Sequence, residues 1–177
     1  ASLQDFVVHP VTQERWRDLE TLFGERGAYS GCWCMWWRLK RSEFGGLTAG
    51  ERKYCMKSIV ESGEVPGLLA YANAQPVAWC SVAPRERFGS LERSRTLKRV
   101  DDQSVWSVVC FFIAEPFRGQ GLMAELLRAA VAYAGSHGAK IVEGYPVEGG
   151  KMLPGGTKAY VGIVSAFRSA GFVEVLR

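Results

Sequence analysis

The sequence predicts an α/β (α+β) fold in which about four helices flank one sheet. Three observations lead there. Strand-like and helix-like segments follow one another in the order β, two helices, β, β, β, helix, β, helix, β. The stretch Val105–Ser136, VWSVVCFFIAEPFRGQGLMAELLRAAVAYAGS, reads as a buried strand, a glycine turn and a long amphipathic helix. With 177 residues, 47% of them hydrophobic and 23% charged, the chain has the make-up of one globular domain spanning residues 1–177.

Each element has a local cause. Leu3–His9 alternates as a first strand. Thr12 can cap a helix running to Glu25, with Trp16, Leu19, Leu22 and Phe23 on one face, and Gly24, Gly27 and Gly31 then break it. Thr48-Ala-Gly-Glu51 is a capping box, so a second helix should run to about Ser62 and stop at Gly63. Val65–Tyr71 and Val77–Val82 form a hairpin around Asn73-Ala-Gln-Pro76. Val105–Ile113 is apolar without alternation, as in a strand covered on both faces. Pro116, Gly119 and Gly121 punctuate it, and Leu122, Leu126, Leu127, Ala130, Val131 and Ala134 recur at helical spacing. Ala139–Tyr145 is the next strand. Thr157 can cap a last helix ending at Gly171, and Phe172–Leu176 closes as a strand.

Composition narrows the function classes. No apolar run is long enough to span a bilayer and no secretory pattern opens the chain, which argues against a membrane partner. Five cysteines without framework spacing read as reduced thiols in a cytoplasmic protein. The net charge of +4 is concentrated in Arg85–Arg99, where Arg85, Arg87, Arg93, Arg95, Lys98 and Arg99 outnumber Glu86 and Glu92. That run reads first as a solvated surface; the alternatives are a nucleic-acid footprint or a rim for another polyanion.

The turn Arg118-Gly-Gln-Gly-Leu-Met123 opens a helix, where backbone N–H groups lack helical partners and the dipole is positive. Glycine lets an anion approach the backbone and Arg118 adds charge, so the spot suits a pyrophosphate. In these residues the chain resembles the GNAT superfamily of acetyl-CoA-dependent acyltransferases, whose signature is Arg/Gln-x-x-Gly-x-Gly/Ala between a strand and a helix. Arg118 and Gly121 match; Met123 stands where the family usually has Gly or Ala. Phe167-Arg-Ser-Ala-Gly-Phe172 at the end of the last helix also fits. The resemblance implies a mixed, mostly antiparallel sheet whose central strand and the strand after it are parallel but splay apart, with the pantetheine arm in the gap. Members commonly have one strand more than this chain, so the sheet would be one strand short or completed by a second copy in a homodimer.

The resemblance implies transfer of acetyl from acetyl-CoA, as co-substrate and without a metal, to a small-molecule or peptide amine. Phe111, Phe112 and Ile113 would hold the pantetheine through their backbone. Arg118, Gly119, Gln120, Gly121, Leu122 and Met123 would hold the pyrophosphate. Many members place a general-acid tyrosine where this chain has Phe167; Tyr160, two turns earlier, is the nearest substitute. Some members use a glutamate where this chain has Ser107; Glu143 on the next strand is an alternative base, and water another. Gly31-Cys-Trp-Cys-Met-Trp-Trp-Arg38 lies where the acceptor wall would stand. Trp33, Trp36 and Trp37 read either as that wall or as a core plug. Cys32 and Cys34 lack a second ligand pair for a metal, and no histidine is near Cys80 or Cys110 in sequence to activate a thiol. The rival readings are a non-catalytic acyl-CoA-binding sensor and, ranked last, a nucleic-acid-binding protein.

Overall fold

The computed structural model describes residues 6–148 and 160–177. Five strands form one sheet in the order β1 (Phe6–Pro10), β2 (Gly67–Ala72), β3 (Gln75–Pro84), β4 (Trp106–Ile113), β5 (Val142–Gly144). Every neighbouring pair is antiparallel except β4 and β5, which are parallel. The helices are α1 (Trp16–Phe23), α2 (Arg41–Gly46), α3 (Ala49–Glu61), α4 (Gly89–Glu92), α5 (Leu122–Ser136) and α6 (Val164–Ser169).

Both faces of the sheet are covered, which is why its central strands read as continuous apolar runs. One face buries Leu69, Trp79 and Cys110 with Leu19, Phe23 and Met56 from α1 and α3. The other buries Leu68, Cys80, Val108 and Phe111 with Leu122, Leu126 and Leu127 of α5 and Phe167 of α6. Adjacent residues thus serve opposite cores, as a pleat of period two requires.

Local signals were reliable where the backbone alone decides. The capping box forms: Thr48 Oγ1 accepts from Glu51 N–H at 3.2 Å, and Glu51 Oε2 accepts from Thr48 N–H at 2.7 Å. The β2–β3 hairpin turns on Asn73 and Ala74, both left-handed (φ 49° and 64°), as a two-residue type I′ turn needs.

Four expectations are corrected. Thr12 makes no side-chain cap; a 3₁₀ turn at Gln13–Arg15 precedes α1, which ends at Phe23. The short α2 fills what was expected to be loop. The last helix starts only at Val164, because Gly162 at φ +100° cannot belong to a right-handed helix and Ile163 is extended. Tyr160 is therefore not on a helix, and Thr157 lies outside the described residues. Phe172–Leu176 forms no strand: Val173 is 81% exposed, and the three-residue β5 is the last strand of the sheet among the described residues.

Candidate active site

The site is built where β4 and β5 part. They pair only from Trp106 with Val142 to Val108 with Gly144. Beyond that point the Phe111 N–H donates to the Tyr160 carbonyl at 2.6 Å, and Val147 bridges to Ile163. The ring of Phe167 packs edge-on against Phe111 at 6.2 Å and lies so close to Gly144 and Gly162 that a Cβ on either would collide with it. Residues 160–163 thus lie against β4 on the side where the strands splay.

β4 then runs through Pro116 into the turn that opens α5. Gly119 and Gly121 are left-handed (φ 73° and 81°), a conformation only glycine adopts cheaply. A Cβ at either would project into open space. The amides of Gly119 to Ala124 find no acceptor among the described residues. This is a cradle of unpaired donors at the positive end of a fifteen-residue helix, and the residues fit a pyrophosphate. Leu122 is buried beneath the turn, and Met123 packs at the edge of the same core. Arg118 folds back so that its Nε donates to the Ile113 carbonyl at 2.8 Å, while the Gln120 amide holds Pro116 O at 3.0 Å. Phe111 faces the α5 core, and the half-buried Phe112 faces the other side, so any ligand along this strand meets mainly backbone.

On the Phe112 side stands an aromatic corner that sequence reasoning only half found. Tyr29 meets Phe112 edge-on at 5.3 Å and Tyr160 at 6.0 Å. Neither phenol hydroxyl has a hydrogen-bond partner among the described residues. Burial pushes the Tyr160 phenol up, with Cys110 adding to the rise and Arg41 opposing it. Burial does the same to Tyr29, with Cys110 adding and Arg118 opposing. Both therefore keep their protons at neutral pH. The one signal for Tyr29 was its place in a glycine-flanked loop. Ala28, Ser30, Trp33 and Cys34 are all left-handed non-glycine residues there, and strain of this kind concentrates where function needs a fixed geometry.

The loop also sorts the tryptophans. Trp33 is 4% exposed and packs against Trp16 and Phe23; Trp37 is 9% exposed. Those two belong to the core, because the left-handed turn at Trp33 folds its ring inward over Gly27. Trp36 is half-buried, and the Arg41 guanidinium lies 3.4 Å from its ring centre. Cys34 approaches Cys110 at 3.4 Å and accepts from Trp79 Nε1 at 3.0 Å. Burial, then the neighbouring thiol, push the Cys34 thiol well up, and burial takes Cys80 to about 12. His9 and His137 sit elsewhere, on Tyr71 and Tyr133. Neither thiol is thus poised as a nucleophile, and no metal-holding cluster of His, Cys, Asp or Glu occurs among the described residues.

Glu143 lies in a buried polar network. Its Oε1 accepts from Arg85 Nη1 at 2.8 Å and from the Tyr145 hydroxyl at 2.7 Å, and that hydroxyl is 2.9 Å from Ser107 Oγ. Two donors thus occupy this oxygen, one of them the Arg85 guanidinium. The expected basic surface run is corrected at Arg85, while Arg87, Arg93, Arg95 and Lys98 are exposed as expected. Arg85 is 1% exposed and paired with Glu92 and Glu143, Arg99 pairs with Glu86 and Glu92, and Arg87 reaches Glu64. Arg85 and Arg99 are thus paired within the fold, and Arg87 shares Glu64 with Arg38. A cavity of about 1150 Å³ runs along β5 toward the C-terminal residues, and Tyr29, Trp36, Phe112 and Arg118–Met123 are not among its lining residues.

The model of the acetyltransferase (GNAT) family matches residues 14–145. No curated protein sequence matches significantly. Among solved structures, the chain is similar to AAC(6')-Iy in complex with the bisubstrate analogue CoA-S-monomethyl-acetylneamine, with a TM-score of 0.63, 11% identity, and 98% of this chain and 95% of that one covered. It is similar to the apo aminoglycoside 6'-N-acetyltransferase AAC(6')-IG of Acinetobacter haemolyticus, with a TM-score of 0.56, 15% identity, and 97% and 93% covered. A mutant agmatine N-acetyltransferase in its apo form gives a TM-score of 0.53 at 15% identity, with 78% and 74% covered.

Proposed function

Since the chain belongs to the GNAT family of acetyltransferases, we propose that this acetyl-CoA-dependent N-acetyltransferase acetylates the amine of a small molecule or peptide by direct attack. The observation that carries the reading is the turn at Gly119–Met123, whose unpaired amides and left-handed glycines stand at the end of the strand that splays from its neighbour. The same fold serves enzymes named for aminoglycoside and agmatine acetylation, which supports an amine as the acceptor.

Acetyl-CoA, when bound, supplies an activated acetyl group on a good leaving thiolate. The chain's residues do the rest. The amides of Gly119 to Met123 and the Arg118 side chain hold the pyrophosphate. The backbone of Phe111, Phe112 and Ile113 would hold the arm. Trp36 forms the outer wall for the acceptor. The Tyr160 hydroxyl protonates the departing thiolate, and water takes the amine's proton, since Glu143 is committed to Arg85 and Tyr145.

Acetyl-CoA should bind the wild-type protein in calorimetry and release thiol with members of an amine panel. Binding without release for any amine would leave a non-catalytic CoA-binding module. Gly121→Val forces a β-branched residue into φ +81° and fills the cradle, so the acetyl-CoA Kd should rise at least roughly tenfold. Unchanged affinity in a folded Gly121→Val protein would displace the pyrophosphate from this turn. Trp36→Leu removes the ring on which the Arg41 guanidinium rests, so the outer wall loses its fixed geometry; the acceptor KM should rise roughly fivefold, the scale of that one exposed cation–π contact, without altering acetyl-CoA affinity. Loss of cofactor binding alone would place Trp36 on the wrong substrate.

A further inference from the structure

Trp36 is the outward-facing tryptophan of the cluster, yet its ring is not available to a substrate cation. The Arg41 guanidinium already lies over it, 3.4 Å from the ring centre, and 5.4 Å from Trp37. The Arg41 side chain is held there by a bond from Nη1 to the Trp36 carbonyl at 2.8 Å. A ring that carries the protein's own cation repels a second one, and the wall presents a guanidinium instead of a π-face. Resting on the acetyl-transfer reading above, we infer that Arg41 binds a carboxylate on the acceptor, so that the amine acetylated belongs to an amino acid.

The surroundings favour this. A guanidinium has five donors in a planar fork matched to a carboxylate, and Arg41 spends one of them on Trp36. It pairs with no carboxylate among the described residues, whereas nearby arginines are engaged: Arg38 with Glu64, and Arg52 with the carbonyls of Phe44 and Gly31. Tyr29, Phe112 and Tyr160 meet one another at the neighbouring corner, and no hydrogen bond or ion pair brings an acid to them among the described residues. Glu43, the acid nearest in sequence, turns back to the Lys40 N–H at 3.2 Å. A polycation would therefore meet one positive charge and no negative one. Arg41 also opposes the upward push that burial gives the Tyr160 phenol, so its charge acts within electrostatic reach of the tyrosine whose carbonyl meets β4.

The test uses matched acceptors that differ in the carboxylate: tyrosine against tyrosinamide and tyramine, and arginine against argininamide and agmatine. Wild-type kcat/KM should favour each acid over its amide at least roughly tenfold, the worth of a charge-assisted pair. Arg41→Glu should abolish or invert that preference while the acetyl-CoA Kd stays within about twofold, and Arg41→Gln should fall between. Equal turnover of acid and amide, or an unchanged ratio in Arg41→Glu, would overturn the assignment. Binding of the same ligands to the CoA-loaded protein gives a readout that needs no turnover. Tyrosine bound by wild type and lost in Arg41→Glu supports the carboxylate site even if acetyl transfer fails, and no preference for tyrosine over tyrosinamide sinks it even if transfer succeeds.

Discussion

Arg85→Met should destabilise the protein by about 3–5 kcal/mol, the scale of breaking a buried ion pair by removing one partner. The guanidinium is 1% exposed and serves as the hub of its network. Its Nε meets Glu92 at 2.6 Å, Nη1 meets Glu143 at 2.8 Å and the Tyr145 hydroxyl at 3.0 Å, and Nη2 meets the Leu97 carbonyl at 2.6 Å. Methionine fills much of the volume but leaves Glu143, Tyr145 and a carbonyl without their donor. Denaturant titration would measure the loss, and a cost below about 1 kcal/mol would show that water replaces the guanidinium easily. Adding Glu143→Gln to Arg85→Met should recover part of the loss, since the stranded charge is then gone. The pH profile carries a further check. Burial pushes Glu92 up, but hydrogen bonds from Arg85 and Arg99 outweigh it and hold its folded pKa below the unfolded value. Its contribution is therefore present above the unfolded pKa and disappears as pH falls through the folded one. In Arg85→Met that acid-side loss of stability should be shallower than in wild type.

Tyr160→Phe should lower kcat roughly a hundredfold with little change in acetyl-CoA affinity, the scale for losing a positioned proton donor. The phenol is half-buried at the corner with Tyr29 and Phe112, and burial keeps it protonated at neutral pH. The substitution keeps the ring, so packing is preserved, and the carbonyl that meets Phe111 is backbone and survives. A thioester with a weakly basic leaving thiolate needs no acid and should restore most of the lost rate. Kinetics within about threefold of wild type would remove Tyr160 from the chemistry. Tyr29→Phe would then be the next variant, because Tyr29 brings a second phenol to the same corner.

What the sequence determined by itself was whatever short-range physics controls. The Thr48–Glu51 capping box, the hairpin at Asn73, and the strand, turn and helix from Trp106 to Ser136 depend on residues within a few positions of one another. The cradle at Gly119–Met123 was legible for the same reason: two glycines and a helix start specify its backbone almost alone. Tertiary structure decided what long-range contacts control. Arg85 reads as one cation in a basic run, and only its meeting with Glu143, 58 residues away, makes it a buried hub. Tyr160 reads as helical until Gly162 turns the chain and sets its carbonyl on Phe111. Three tryptophans within five residues are indistinguishable by type, and the left-handed turns between them send Trp33 and Trp37 into the core while Trp36 stays out under Arg41. Side-chain direction and charge pairing depend on where distant segments fold back, and no local pattern encodes that.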